Sequence, residues 1–181
     1  MKKKLLKYPF YFVVNYIPNH IINKIPFYFI RHLYYKSVLG IKIGTGSSVH
    51  MNTFVNRTNI KIGTNSSINR NCYLDGRGGL FIGNNVSISP EVHLITASHD
   101  INSESFEYFE KSIKVDDFVW IGTRATILPG VNLKKGCVVA SGSVVTKDVS
   151  SYDIVAGVPA KVIGKRNEKL NYNCKWFPPF D

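Results

Sequence analysis

The sequence predicts an all-β fold, a parallel β-helix of hexapeptide repeats with a helical cap before it and a short helix or tail after it. Three observations carry this. Val115, Ile121, Ile127, Leu133, Val139 and Val145 are branched aliphatics spaced six residues apart. The positions between them are small, polar or turn-forming: Asp116-Asp117, Gly122, Pro129-Gly130, Lys135-Gly136 and Ser141-Gly142. The register recurs upstream in Ile43, Val49 and Val55, in Ile62, Ile68 and Leu74, and in Ile82, Ile88 and Leu94. An amphipathic helix needs apolar returns at three, four and seven, and a half-buried strand needs strict alternation. A sixfold return fits neither. It fits a coil of short strands in which one aliphatic per segment points inward.

Composition bounds the rest. The 181 residues suit one domain, and a hydrophobic content of 44% is ordinary for a globular chain. A solenoid buries a thin core and leaves its ends open, so the ends need caps. The formal net charge of +11 admits nucleic acid, an anionic membrane surface or a polyanionic small ligand. No RNA-binding or helix-turn-helix signature accompanies it, and aromatics do not interleave with basics in the repeats, so no nucleic-acid partner is expected. Cys72, Cys137 and Cys174 have no paired spacing, which argues against a disulfide framework or a zinc site. Cys72 and Cys137 fall at the same hexamer position and read as small buried hydrophobes. The expected compartment is a reducing cytoplasm.

Residues 1–39 begin with a lysine-rich run and continue into Tyr8-Pro9-Phe10-Tyr11-Phe12-Val13-Val14. Asn15 and Pro18 interrupt the apolar run, and no small-residue cleavage site follows, so this is not read as a signal peptide. It is also too short to span a bilayer. One or two short helices capping the open coil are expected here. A basic, aromatic helix lying on an anionic membrane is compatible with that role. Residues 40–163 form the β-helix. Asp75-Gly76-Arg77-Gly78-Gly79 is a glycine-rich corner, not a phosphate loop, because no strand-to-helix context follows it. The sixfold register lapses over 95–114. An excursion of that length inside a repeat array is usually functional. Residues 164–181 are expected to hold a short helix around Lys165, Arg166 and Lys169, then a tail.

Four segments carry a family likeness: Ser98-His99, Val119-Trp120-Ile121-Gly122, Ser141 through Asp148, and Ala156 through Ile163. The chain resembles the hexapeptide-repeat acyltransferases, closest in pattern to the maltose and galactoside O-acetyltransferases and those of capsule, colanic-acid and lipopolysaccharide synthesis. The resemblance extends over Ile62 through Asp75, Ile82 through Asp100 and Val119 through Ile163, which cover roughly half of the chain. The resemblance implies a left-handed coil, an exception to the usual right-handed crossover. It also implies a homotrimer, with the site in the cleft between adjacent coils and acetyl-CoA as the acyl donor.

His99 is the candidate catalytic residue, because it opens the excursion and matches the catalytic position that the resemblance implies. Acyl transfer from a thioester to a hydroxyl needs a base for the hydroxyl proton and an acid for the leaving thiolate, and an imidazole can serve as both in turn. No serine or cysteine elbow is present, which favours direct attack over a covalent intermediate. His20, His32, His50 and His93 lack this context and read as structural. The resemblance implies an acceptor contact at Asn69 and a wall of the cleft at Trp120, and Asp75, nearby, is a further candidate acceptor contact. Asn69 could equally be satisfying its own backbone. For the donor, Gly122, Ala140, Ser141 and Gly142 are small enough for a ligand to approach the backbone. The resemblance implies phosphate contacts at Thr146, Lys147 and Lys161, and Arg166 is a further basic candidate. Asp100 is not expected to orient His99, because adjacent side chains in extended backbone point apart.

The expected function is therefore acetyl-CoA-dependent O-acetylation of a sugar hydroxyl in cell-surface polysaccharide synthesis, in the cytoplasm or at the inner face of its membrane. The alternatives are N-acetylation of an amino sugar, O-acetylation of a small molecule such as serine, or a non-enzymatic or metal-binding trimer. A zinc site would need three well-spaced histidines. Only His93 and His99 fall in the plausible zone, so no metal is expected.

Overall fold

The spacing of the aliphatics becomes the wall of a three-sided coil. A computed structural model describes residues 7–181, leaving the first lysines of the opening run outside the described residues. All fifteen sixfold aliphatics are buried. Their strands stack into three parallel sheets, one per side. The first side runs Lys42–Ile43, Ile60–Ile62, Leu80–Ile82, Ile113–Val115 and Asn132–Leu133. The second runs Ser48–Val49, Ser67–Ile68, Ser87–Ile88, Trp120–Ile121, Val138–Val139 and Asp153–Ala156, and Lys161–Lys165 returns antiparallel beside the last. The third runs Phe54–Asn56, Tyr73–Asp75, His93–Leu94, Thr126–Ile127 and Val144–Val145. The coil is a left-handed parallel β-helix.

Strand alternation adds a second inward column two residues before the first: Ile60, Leu80, Val86, Val92, Ile113, Val119 and Val131 are buried in it. Cys72 and Cys137 lie in this column. Where it turns polar, the hydroxyl binds the next rung's backbone. Ser47 donates to the Gly63 carbonyl at 2.6 Å, Ser66 to Gly83 at 2.8 Å and Thr53 to Asn69 at 3.2 Å, so these three buried hydroxyls are satisfied. At the corner between the second and third sides, Asn52, Asn71 and Gly142 adopt positive φ, where short polar residues and glycine are tolerated.

Short helical turns at Lys7–Tyr11, Phe12–Tyr16 and Ile17–His20, and a longer helix at Tyr28–Ser37, cover the first coil. Asn19 pairs with both backbone groups of Val55, donating at 2.8 Å and accepting at 2.7 Å. These are hydrogen-bonding groups that an open coil end would leave bare. Arg31, fully buried, donates to the carbonyls of Ile25 and Val49. Among the described residues, no helix is long and apolar enough to cross a membrane.

The chain after Lys165 corrects the expected short helix. Residues 166–181 contain no helix and run extended along one corner of the coil. Tyr172 donates to the Phe118 carbonyl at 3.1 Å and the Cys174 N–H to Asn65 at 3.1 Å, while Trp176 lies against His50. The segment is rich in asparagine and carries Pro178-Pro179 near its end, residues that favour extended or turn backbone over helix. Its polar groups find partners on the coil instead.

Candidate active site

His99 stands on a hairpin that leaves the coil after the third side. Ala97–His99 pairs antiparallel with Tyr108–Glu110, so His99 lies opposite Tyr108. The imidazole is exposed and stacks on Phe106 at 4.1 Å with an interplanar angle of 8°. Its Nδ1 lies 2.8 Å from the Phe106 carbonyl. A carbonyl only accepts, so Nδ1 carries the hydrogen, and the neutral ring presents its Nε2 lone pair outward. That is the tautomer a general base needs. Asp100 does not orient the ring: its carboxylate accepts the Asn102 N–H at 2.9 Å and shapes the hairpin turn.

The root of the hairpin is held by Asp75, which corrects its assignment as an acceptor contact. Asp75 is fully buried. Its carboxylate accepts the Thr96 N–H at 2.9 Å and two side-chain bonds from Arg77 at 2.9 and 2.8 Å. Burial alone would raise its pKa, but the bonds from Arg77 and Thr96 outweigh that and hold the carboxyl below its ordinary range. The glycine-rich corner at 76–79 lets the chain double back so that Arg77 reaches it. No oxygen of Asp75 faces a cleft.

On the second side, register assembles several candidates. Ile68, Ile88, Ile121 and Val139 are successive rung partners. The residues that follow them, Asn69, Ser89, Gly122 and Ala140, therefore form one column beside the corner. Trp120 lies half-exposed next to this column, and its indole N–H donates to Ser89 Oγ at 3.1 Å. Ser89 was missed in the sequence, although its place one rung from Asn69 would have pointed to it. Asn69 is partly buried, and its side-chain oxygen accepts the Arg70 N–H at 2.9 Å. Trp120, Gly122, Val138, Ala140, Ser141 and Arg166 line a largely apolar cleft of about 450 Å³.

The small residues there serve the coil first. A Cβ on Gly122 would lie 2.6 Å from the Ser141 nitrogen and 2.9 Å from the Val139 carbonyl, so glycine is required by the stacked backbone itself. Gly142 is exposed with φ +71° and makes the corner. Thr146, Lys147 and Lys161 are exposed, and neither lysine forms an ion pair among the described residues. Arg166 departs from its expected role. Its guanidinium donates to the Phe118 carbonyl at 3.0 Å and to the Tyr172 hydroxyl at 2.9 Å, so it anchors the tail and offers only its flank to the cleft.

Within one chain these parts form two places. His99 lines a separate cleft with Asp100, Ile101, Glu107, Phe109 and Lys111.

The fold matches one class of protein. Residues 113–147 match the family model described as hexapeptide repeat of succinyl-transferase. The hexapeptide-repeat-containing acetyltransferase VCA0836 of Vibrio cholerae O1 biovar eltor, solved with acetyl coenzyme A, superposes with a TM-score of 0.75 and 30% identity, covering 83% of this chain and 84% of that one. A galactoside acetyltransferase solved with coenzyme A superposes with a TM-score of 0.73 and 29% identity, covering 85% and 78%. The galactoside O-acetyltransferase of Escherichia coli K12 is 37% identical over 91 residues, which is 49% of this chain and 45% of that protein. The chain belongs to the hexapeptide-repeat acyltransferase family. It spans about half the length of the curated relatives it matches.

Proposed function

We propose that this protein is an acetyl-CoA-dependent O-acetyltransferase that works as a homotrimer on a sugar hydroxyl of a cell-surface polysaccharide or its lipid-linked precursor, in the cytoplasm. The observation that carries this reading is the exposed imidazole of His99 with Nδ1–H held by the Phe106 carbonyl. In the proposed reaction the acceptor hydroxyl attacks the thioester carbonyl while Nε2 takes its proton. The carbon–sulfur bond then breaks, and the imidazolium returns the proton to the leaving thiolate.

The cleft beside Trp120 suits the donor's pantetheine arm, because it is narrow, apolar and floored by Gly122 and Ala140. Lys147 and Lys161 suit the phosphates as exposed cations without acidic partners among the described residues. Since one chain keeps His99 and this cleft apart, the trimer brings the hairpin of one copy to the cleft of the next. Exposed Ile101, Phe106 and Tyr108 on the hairpin support such a contact.

The test is thiol release from acetyl-CoA against a panel of sugars, nucleotide sugars, amino sugars and lipid-linked glycans. Acetyl ester formation on a sugar hydroxyl, lost in His99→Ala, is expected. Turnover undiminished in His99→Ala overturns the mechanism, and amide formation on an amino sugar overturns the acceptor class.

A further inference from the structure

We propose that the end of the coil formed by the first rung and its helical cover is a docking face for an anionic lipid bilayer. The first argument is charge. Residues 1–74 contain eleven Lys or Arg and no Asp or Glu, whereas residues 75–181 contain twelve of each. The whole net charge of +11 therefore belongs to the first part of the chain. Among the described residues, Lys24, Lys36, Lys42 and Arg57 are exposed in this region and form no ion pair.

The second argument is the apolar surface at the same end. Tyr8 is 71% exposed, Phe29 70% and Leu33 65%, with Phe10, Phe12, Tyr16 and Phe27 also exposed. Phe29 and Leu33 lie one turn apart on the helix Tyr28–Ser37, so they share a face. The tail continues the patch: Phe180 is 73% exposed and sits edge-on to Phe27 at 6.2 Å. Apolar patches of this kind on a soluble surface mark interaction sites. Aromatic and leucine side chains rimmed by lysine are the composition of segments that lie in the headgroup layer. The Tyr11 ring under the Arg57 guanidinium, at 5.4 Å, joins the two features within one contact.

A second copy of the chain is a poorer occupant for this face. It would bring the same uncompensated positive charge, and like charges brought together repel. An anionic bilayer supplies both missing partners, hydrocarbon for the rings and phosphate for the lysines. This docking is independent of the chemistry at His99. If both hold, a lipid-borne acceptor would be presented where the enzyme already sits.

The experiment is co-sedimentation of the full chain with vesicles of phosphatidylcholine alone and of phosphatidylcholine mixed with phosphatidylglycerol. The mixed vesicles should bind at least about tenfold more tightly, with binding weakened by added salt. Lys24→Glu and Lys36→Glu should each weaken it by about fivefold or more. The double variant Phe29→Ser with Leu33→Ser should weaken it by about tenfold or more. These side chains are exposed, so the melting temperature should hold, and thiol release with a soluble acceptor should be unchanged. Equal binding to both vesicles, no binding to either, or self-association that vanishes in the double variant without any vesicle binding would each overturn the docking.

Discussion

The Asp75 carboxylate accepts the Thr96 backbone N–H at 2.9 Å, tying the corner of one rung to the root of the hairpin that carries His99. The Thr96 hydroxyl in turn donates to the Asp75 carbonyl at 3.2 Å and accepts the Gly78 N–H at 2.9 Å. A buried carboxylate one rung before the register lapses is thus a fastening for the excursion. Replacing Asp75 with alanine strands the Arg77 guanidinium and the Thr96 N–H. The expected cost is about 3 kcal/mol of stability, read as a lowered urea midpoint, with a fall in kcat larger than any change in KM for the acyl donor. A variant with wild-type stability and wild-type kcat would show that the fastening is idle.

His99→Ala removes the proposed base and should lower kcat by about a hundredfold to ten-thousandfold, leaving acetyl-CoA affinity by calorimetry within about twofold. His99→Asn separates shape from chemistry, since its amide nitrogen can take the place of Nδ1 and donate to the Phe106 carbonyl while no atom can shuttle a proton. It should be as inactive as the alanine variant.

Ser89→Ala frees the Trp120 indole N–H from the only side-chain partner it has among the described residues. One hydrogen bond near a cleft is worth about 1 kcal/mol, so kcat/KM should fall by about fivefold with little change in melting temperature. Equal kinetics for this variant and the wild type would remove Ser89 from the site.

Gly122→Ala places a methyl group against the Ser141 nitrogen and the Val139 carbonyl. Overpacking of this kind costs about 1–3 kcal/mol, and the melting temperature should drop accordingly. A melting temperature at or above wild type would mean that adjacent rungs separate readily.

Acid should loosen the capped end. Burial first, then the positive charges of Lys36, Arg31 and His50, push the His32 pKa down from 6.5 to about 4. Its Nε2 accepts the Val49 N–H at 3.2 Å, a bond that only the neutral ring makes. Between pH 6.5 and 4 the unfolded chain binds the proton and the folded chain does not, so stability falls as pH falls through that window. The loss at pH 5 relative to pH 7.5 is on the order of 2 kcal/mol. His32→Gln should flatten the slope without removing it, because burial also lowers the pKa of His50. An unchanged slope in urea midpoints across this range would count against His32.

The stacked coil was legible in the sequence because a repeat that must bury one aliphatic per segment writes its period directly into the chain. The excursion that carries His99 was legible as a break in the register, and His99 became the candidate from that position together with the family resemblance. Three features were hidden, each for a physical reason. The second inward column mixes valine, cysteine, serine and threonine, so its hydrophobic signal is diluted. Asp75 is held inside by Arg77, two residues on, and by the Thr96 N–H from the next rung, which no spacing reveals. The path of the tail depends on Arg166 and Tyr172 meeting the Phe118 carbonyl, contacts between residues far apart in an aperiodic stretch.

That tail has a consequence for how the molecule comes apart. A stack whose rungs touch only their neighbours can fray one rung at a time from either end. Here the segment leaving the last rung returns to the first two, where Asp181 accepts from His50 at 2.9 Å and from Arg70 at 2.6 Å. The two extremities are thereby stitched into a single loop. Loosening one withdraws support from the other, and the cylinder should melt as one unit rather than by progressive unravelling.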